Sequence, residues 1–251
     1  MRKYIFVVLL ALCPVAVFAQ SDAQLWNSAN DAYSMGQYES AYNDYLKIEQ
    51  GGRHSYKLYY NMGNACYKMG NAGKAILYYE KALKLDPSAE DAKVNLQIAR
   101  LQTLDKIETV PEFILSAWTK DVRNMVSSNG WAYISLGLFV VVALLMLMFK
   151  FAPTTGQRRA SFILACVVML FAIISFLFAV SLKVNASSGD SAIVMVPVSN
   201  VKSAPNSTGN NLFILHEGSK VEILEQAGQW CRIEISDGRQ GWMQMKDAEV
   251  I

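Results

Sequence analysis

A chain of 251 residues is long enough for one or two domains. It is 53% hydrophobic and 18% charged, against about 25% charged for a soluble domain, so apolar spans are expected along it. A net charge of +2 gives no global polyanion-binding signal, and four scattered cysteines with two histidines form no recognisable metal-ligand spacing.

The N-terminus, MRKYIFVVLLALCPVAVFAQ, sets Arg2 and Lys3 before an apolar run. That run is short for a span, which takes about 20 residues. Val17-Phe18-Ala19 puts small residues where a signal peptidase cuts. Residues 1–19 are therefore expected to be a signal peptide, leaving the next segment outside the cytoplasm. A lipid-modified Cys13 is the rival reading, weakened by Leu12 where a small residue is expected.

Residues 20–104 repeat at a period of 34: Gly36 and Gly70, Ala41 and Ala75, Tyr45 and Tyr79, Asn61 and Asn95. Small residues at Gly63, Ala75 and Ala82 suit close helix approach, Gly70-Asn71 suits a turn, and Pro87 ends a helix. Between Gln20 and Arg100 nine acids balance nine bases, against a nucleic-acid surface. The order Tyr59, Met62-Gly63, Tyr67, Gly70, Ala75, Tyr79, Ala82, Pro87 resembles the tetratricopeptide repeat. The units are 22–55 and 56–89, with a capping helix over 90–104. The first unit departs from the pattern, with Ser28-Ala29 for Leu-Gly and no closing proline. The resemblance implies that the first helix of each unit lines a concave groove. Its candidate partner-binding residues are Trp26, Asn30 and Tyr33 in unit one and Tyr60, Asn61, Asn64 and Tyr67 in unit two. Asn can donate and accept toward a peptide backbone, and Tyr combines an apolar face with a hydroxyl. Asn30 and Asn61 resemble the asparagines of the family's carboxylate clamp. Trp26, Asp91 and Asn95 stand where its basic residues would, so recognition of an acidic C-terminus is not expected.

Residues 105–130 form an amphipathic linker. Phe113, Ile114, Trp118, Val122 and Met125 recur at helical spacing. Either a helix at the membrane interface, anchored by Trp118, or an ordinary connecting helix fits. Trp131–Phe149 is a run of 19 uncharged residues and Ala160–Leu182 a run of 23, each long enough to cross a bilayer. The loop 150–159 carries Lys150, Arg158 and Arg159 without an acid, which predicts a cytoplasmic position. Neither run holds a charge, so a channel or proton path is not expected. Ser161, Cys166 and Ser175 are expected to pack.

Residues 189–251 alternate apolar and polar residues between turn signals at Ala204-Pro205, Glu217-Gly218 and Asp237-Gly238. Five or so short strands are predicted. The order Val201-Lys202-Ser203-Ala204-Pro205, Glu217-Gly218, Trp230, Asp237-Gly238-Arg239, Gly241-Trp242 resembles the bacterial SH3-like domain, with Lys202 and Ala204 where the family has Arg and Gly. Trp230 and Trp242 are read first as core, with a ligand-binding surface as the alternative. The resemblance implies cell-wall peptide binding. Asp190-Ser191-Ala192 matches a short O-glycosylation signal of some Bacteroidetes.

The fold class expected is a multidomain membrane protein with all-α tetratricopeptide repeat hairpins, two transmembrane helices and a small all-β SH3-like barrel. No phosphate loop, nucleophile elbow, zinc motif or cysteine–histidine pair appears, so catalytic, metal and cofactor sites are not expected. The whole order, with DKIETVPEFILSAW and NGWAY before the first span, resembles the BatE proteins of the Bacteroides aerotolerance operons. The resemblance implies Bat membrane partners carrying von Willebrand A domains, a MoxR-type AAA+ ATPase, and a role in oxidative or envelope stress. The reading is a scaffold in a bacterial inner membrane with both terminal domains periplasmic. The alternative is a peptidoglycan sensor using the SH3-like domain.

Overall fold

A computed structural model describes residues 22–107 and 113–251. The expected signal peptide and residues 108–112 of the linker lie outside the described residues. Two units emerge. One comprises the chain up to Ala82, Glu90–Thr109 and Asp190–Ile251; the other comprises Leu83–Ala89 and Val110–Gly189.

In the first unit, α1 (22–34) and α2 (Tyr38–Gln50) form one hairpin, and α3 (Tyr56–Lys68) and α4 (Ala72–Leu85) a second. α5 (Glu90–Arg100) follows and ends four residues short of the predicted 104. Gly36 and Gly70 sit at φ 77° and 78°, a left-handed conformation that an L side chain resists. There the chain folds back, with Gln37 N–H donating to Ala32 O and Asn71 N–H to Cys66 O, so orphan helix carbonyls are satisfied. Ser55 caps α3 by accepting from Leu58 N–H at 3.2 Å. Gly63 is required by packing: a Cβ there would come within 2.6 Å of the Tyr79 ring.

The same unit holds a fully antiparallel sheet of β1 (Ser191–Val194), β2 (Val198–Lys202), β3 (Asn211–His216), β4 (Lys220–Ala227), β5 (Trp230–Glu234), β6 (Gln240–Gln244) and β7 (Ala248–Val250). The order is β3-β2-β6-β5-β4-β1-β7. Seven strands replace the five or so expected, because β1 and the three-residue β7 pair with each other beside β4. Val194, Val201, Leu215, Val221, Ile233 and Met243 form the core with Cys231. The β5–β6 turn runs through Gly238 at φ 86°. At Gly241 a Cβ would come within 2.5 Å of Val201, so only glycine lets β6 pass the core there.

In the second unit, α6 (Ile114–Asn124) leads to α7 (Ser128–Phe151) and α8 (Thr155–Ser187), an antiparallel hairpin. Both long helices are apolar enough to cross a membrane. They are interrupted only around Pro153, whose ring keeps Ala152 extended (ψ 133°), so the ten-residue loop shrinks to three. Small residues line the seam: Ser161, Ala165, Ala172, Ser175 and Ala179 are buried on α8. Close approach lets Ser135 donate to Ala172 O at 3.1 Å and Ser128 to Ala179 O at 2.9 Å. Cys166 is exposed, so of the three α8 residues expected to pack only the serines lie in the seam.

Candidate functional site

The seven groove candidates lie on α1 and α3, and the structure joins them in a repeating pattern. Tyr45 on α2 is buried and donates its hydroxyl to Asn30 Oδ1 at 2.6 Å; Asn61 Nδ2 donates to the same hydroxyl at 3.3 Å and reaches Asn30 Oδ1 at 3.5 Å. Thirty-four residues on, buried Tyr79 donates to Asn64 Oδ1 at 2.7 Å, and Asn95 Nδ2 donates to Asn64 at 2.9 Å. Each Asn–Tyr–Asn triad links the first and second helices of one repeat to the first helix of the next. Burial raises the pKa of both tyrosines, so both remain hydroxyl donors. Asn30 and Asn64 use their amide oxygens here and Asn61 and Asn95 their nitrogens; the opposite end of each amide lies outside these bonds.

Tyrosines cover the rest of this surface. Tyr60 stacks on Tyr56 at 5.8 Å and accepts from Asn95 Nδ2 at 3.2 Å. Tyr67 accepts from Gln102 Nε2 at 3.1 Å. Tyr33 is half-buried against Tyr38 at 5.3 Å, and burial followed by neighbouring tyrosines raises its pKa. Trp26 meets the Tyr45 ring edge-on at 5.5 Å. Tyr45 and Tyr79 join these candidates although the sequence reading used them only as repeat markers, and Asn95, read only as a clamp position, bonds within the second triad. The spacing of 34 between Tyr45 and Tyr79 and between Asn61 and Asn95 was the available signal.

The opposite side of α4 is a second surface that sequence reasoning missed. Six consecutive residues, Ala75–Glu80, are buried. Ala75 and Tyr79 face α3, and the β-domain covers the other side. Glu217 lies against Gly73, and Gly218 packs on Ile76 and Thr103. Glu80, with an 8% exposed side chain, takes Lys220 at 2.7 Å and Arg100 on its other oxygen. Lys81 pairs with Glu249 at 3.1 Å and lies over the Tyr78 ring. Asp105, just after α5, accepts from His216 N–H and Nδ1, each at 2.7 Å, and from Ser219 Oγ. Burial opposes its ionisation, but hydrogen bonds from Ser219 and His216 outweigh that and hold its carboxyl below the usual range. Ile107 packs against the β-domain core. His216 is thus a structural partner of Asp105.

Trp230 and Trp242 are half-buried and lie outside the core cluster. Strand alternation explains this: Cys231, Ile233, Gly241 and Met243 point inward, so their neighbours take the other face. Arg232 stands directly opposite Trp242, and Lys202 pairs with Trp242 from β2. In place of the core expectation, the two half-buried indoles take the outer face of the sheet, with Arg232 and Lys202 beside Trp242 in the ladder.

Residues 56–89 match the family described as Tetratricopeptide repeat, and residues 197–248 match the family described as Bacterial SH3 domain. No curated protein matches the chain. The chain combines two kinds of module that typically bind other molecules and do not catalyse reactions.

Proposed function

We propose that this chain is a membrane-anchored scaffold that holds a protein partner in the groove of α1, α3 and α5. The observation that carries the reading is the pair of Asn–Tyr–Asn triads. They fix a neutral surface of tyrosines and half-used amides, suited to an extended peptide segment through backbone-directed hydrogen bonds and aromatic contact. The absence of clamp cations among Trp26, Asp91 and Asn95 argues for a neutral or basic segment over an acidic one. Two apolar helices supply the anchor, and a two-span hairpin leaves both ends of the chain on one side. The basic loop and signal-type start favour the extracytoplasmic side of a bacterial inner membrane. The resemblance to BatE proteins suggests a Bat-type partner with a von Willebrand A domain and a role in aerotolerance or envelope stress.

The test is photocrosslinking in the native membrane. A photoreactive residue at Tyr67 is expected to capture one partner, and the same residue at exposed Asn43, on the side of α2 away from Tyr45, none. The adduct is expected to weaken in Tyr33→Ser, which leaves both triads intact. Equal capture from both sites, or none from Tyr67, contradicts the groove reading.

A second reading, cell-wall sensing, is favoured by the Trp230–Trp242 face with Arg232 and Lys202. Retention of the full chain on purified peptidoglycan, lost in Trp242→Ala, supports it; unchanged retention in that variant counts against it.

A further inference from the structure

The second unit carries an apolar surface that helix packing leaves bare. α6 buries none of its residues. Successive helical residues turn by about 100°, which places Ile114, Leu115, Trp118, Val122 and Met125 on one arc of about 100°. Ser116, Lys120, Arg123 and Asn124 occupy the other side, and Thr119 and Asp121 border the apolar arc. Every one of the five apolar residues is exposed, Trp118 by 69% and Ile114 by 74%. A helix of 11 residues with such a face does not stand alone in water.

Its position is fixed from the other direction. Trp131, in the first turn of α7, donates its indole N–H to Arg123 O at 2.8 Å. Arg123 donates to Ser181 Oγ at 3.1 Å. Ser181 is the penultimate residue of the uncharged run on α8, just before Lys183. Both bonds tie the C-terminal end of α6 to the level where the apolar stretches of α7 and α8 end. Arg123 lies on the polar side, so the contact that holds the helix leaves the apolar arc turned away from the hairpin. Trp131 and exposed Tyr133 lie at this end of α7 and Trp118 on the apolar arc of α6, the residue types favoured between headgroups and acyl chains.

We infer that α6 lies in the membrane–water boundary with Ile114, Leu115, Trp118 and Val122 among the lipid acyl chains. Its occupant is the lipid surface itself, because that surface is continuous with the one α7 and α8 require at the same level. The inference rests on the reading that α7 and α8 cross a bilayer. The polar side with Lys120 then faces the headgroups, while Arg123 keeps its bond to Ser181. α6 becomes a horizontal strut that sets the exit of the chain from the membrane.

The test uses the full chain reconstituted in vesicles of phosphatidylcholine and phosphatidylglycerol. A fluorescent amino acid is placed singly at Leu115, at Ser116 or at Val141 within α7. Lipids brominated on their acyl chains quench from the bilayer, and iodide quenches from water. The inference predicts several-fold stronger bromolipid quenching at Leu115 than at Ser116, with iodide showing the reverse, at a depth of about 5–10 Å below the headgroup level. Val141 reports the span independently. Iodide quenching at Leu115 equal to that at Ser116, with Val141 still quenched by bromolipid, overturns the interfacial helix and leaves the spans standing. Shielding of Leu115 from both quenchers also overturns it, in favour of a face covered by a second copy of the chain. Iodide quenching at Val141 removes the spans and the inference together.

Discussion

α2 and α4 occupy the same place in successive repeats, yet they meet different surroundings. Ala41 and Ala75, and Tyr45 and Tyr79, correspond and are buried alike, because they face the first helix of their own hairpin. Asp44 and Tyr78, and Ile48 and Ala82, are buried in both as well, but other positions diverge. Asn43 is exposed where Leu77 is buried, and Leu46 is half-buried where Glu80 is buried and ion-paired. Residues that keep the period build the repeat and its groove. Residues that break it mark the side of α4 on which the β-domain rests. Gly73, Leu77 and Glu80 lie at i, i+4 and i+7, one stripe whose two ends touch Glu217 and Lys220.

That contrast can be broken most severely at Glu80. In Glu80→Lys three cations converge on a buried point, and docking of the β-domain is expected to weaken by about 3 kcal/mol. This is the low end for breaking a buried ion pair, because Lys220 and Arg100 stay partly in water. The counterpart Leu46→Lys should leave docking unchanged. Labelling of a thiol at position 77 reads both variants.

Asp105→Asn removes the charge that accepts from His216 and Ser219 and is expected to weaken docking by about 1.5–3 kcal/mol. The pH dependence has a definite sign. The folded pKa of Asp105 lies below the ordinary aspartate value of 3.8, so its contribution is complete above that value and lost as pH falls through the folded pKa. Docking should therefore loosen in acid below 3.8, and Asp105→Asn should flatten that part of the profile. A pyridyl disulfide, which still reacts with thiols in acid, gives the measurement.

The smallest effects are expected on the groove side and should match between repeats. Tyr45→Phe and Tyr79→Phe each remove one triad hydroxyl and are expected to cost about 1 kcal/mol of repeat stability in thermal unfolding. A large difference between them would mean that the two triads are not equivalent.

The periodic half of this molecule was legible in the sequence. Gly36 and Gly70, the alanine positions and the apolar runs each report a local backbone or packing demand. The turn glycines and Gly241 of the β-domain were legible for the same reason. The docked surface was not, because Glu80 and Lys220, or Asp105 and His216, are far apart in the chain and ordinary in composition. A glutamate on the second helix of a repeat reads as solvated until its partners are placed. The asparagines were named from their spacing, but their bonds to Tyr45 and Tyr79 needed the helix geometry. The two tryptophans misled because large indoles are read as core, whereas strand alternation assigns them to the outer face.

The most direct measurement is thiol accessibility at two positions 34 apart, Asn43→Cys and Leu77→Cys, in the full chain. A membrane-impermeant maleimide is applied to the folded protein. Native Cys66 and Cys231 are buried and Cys166 lies within the apolar run of α8. The docked arrangement predicts rapid labelling at 43, protection at 77, and loss of that protection in Glu80→Lys. Equal labelling at 43 and 77 in the otherwise native chain would contradict it, and would return the β-domain to being an independent module.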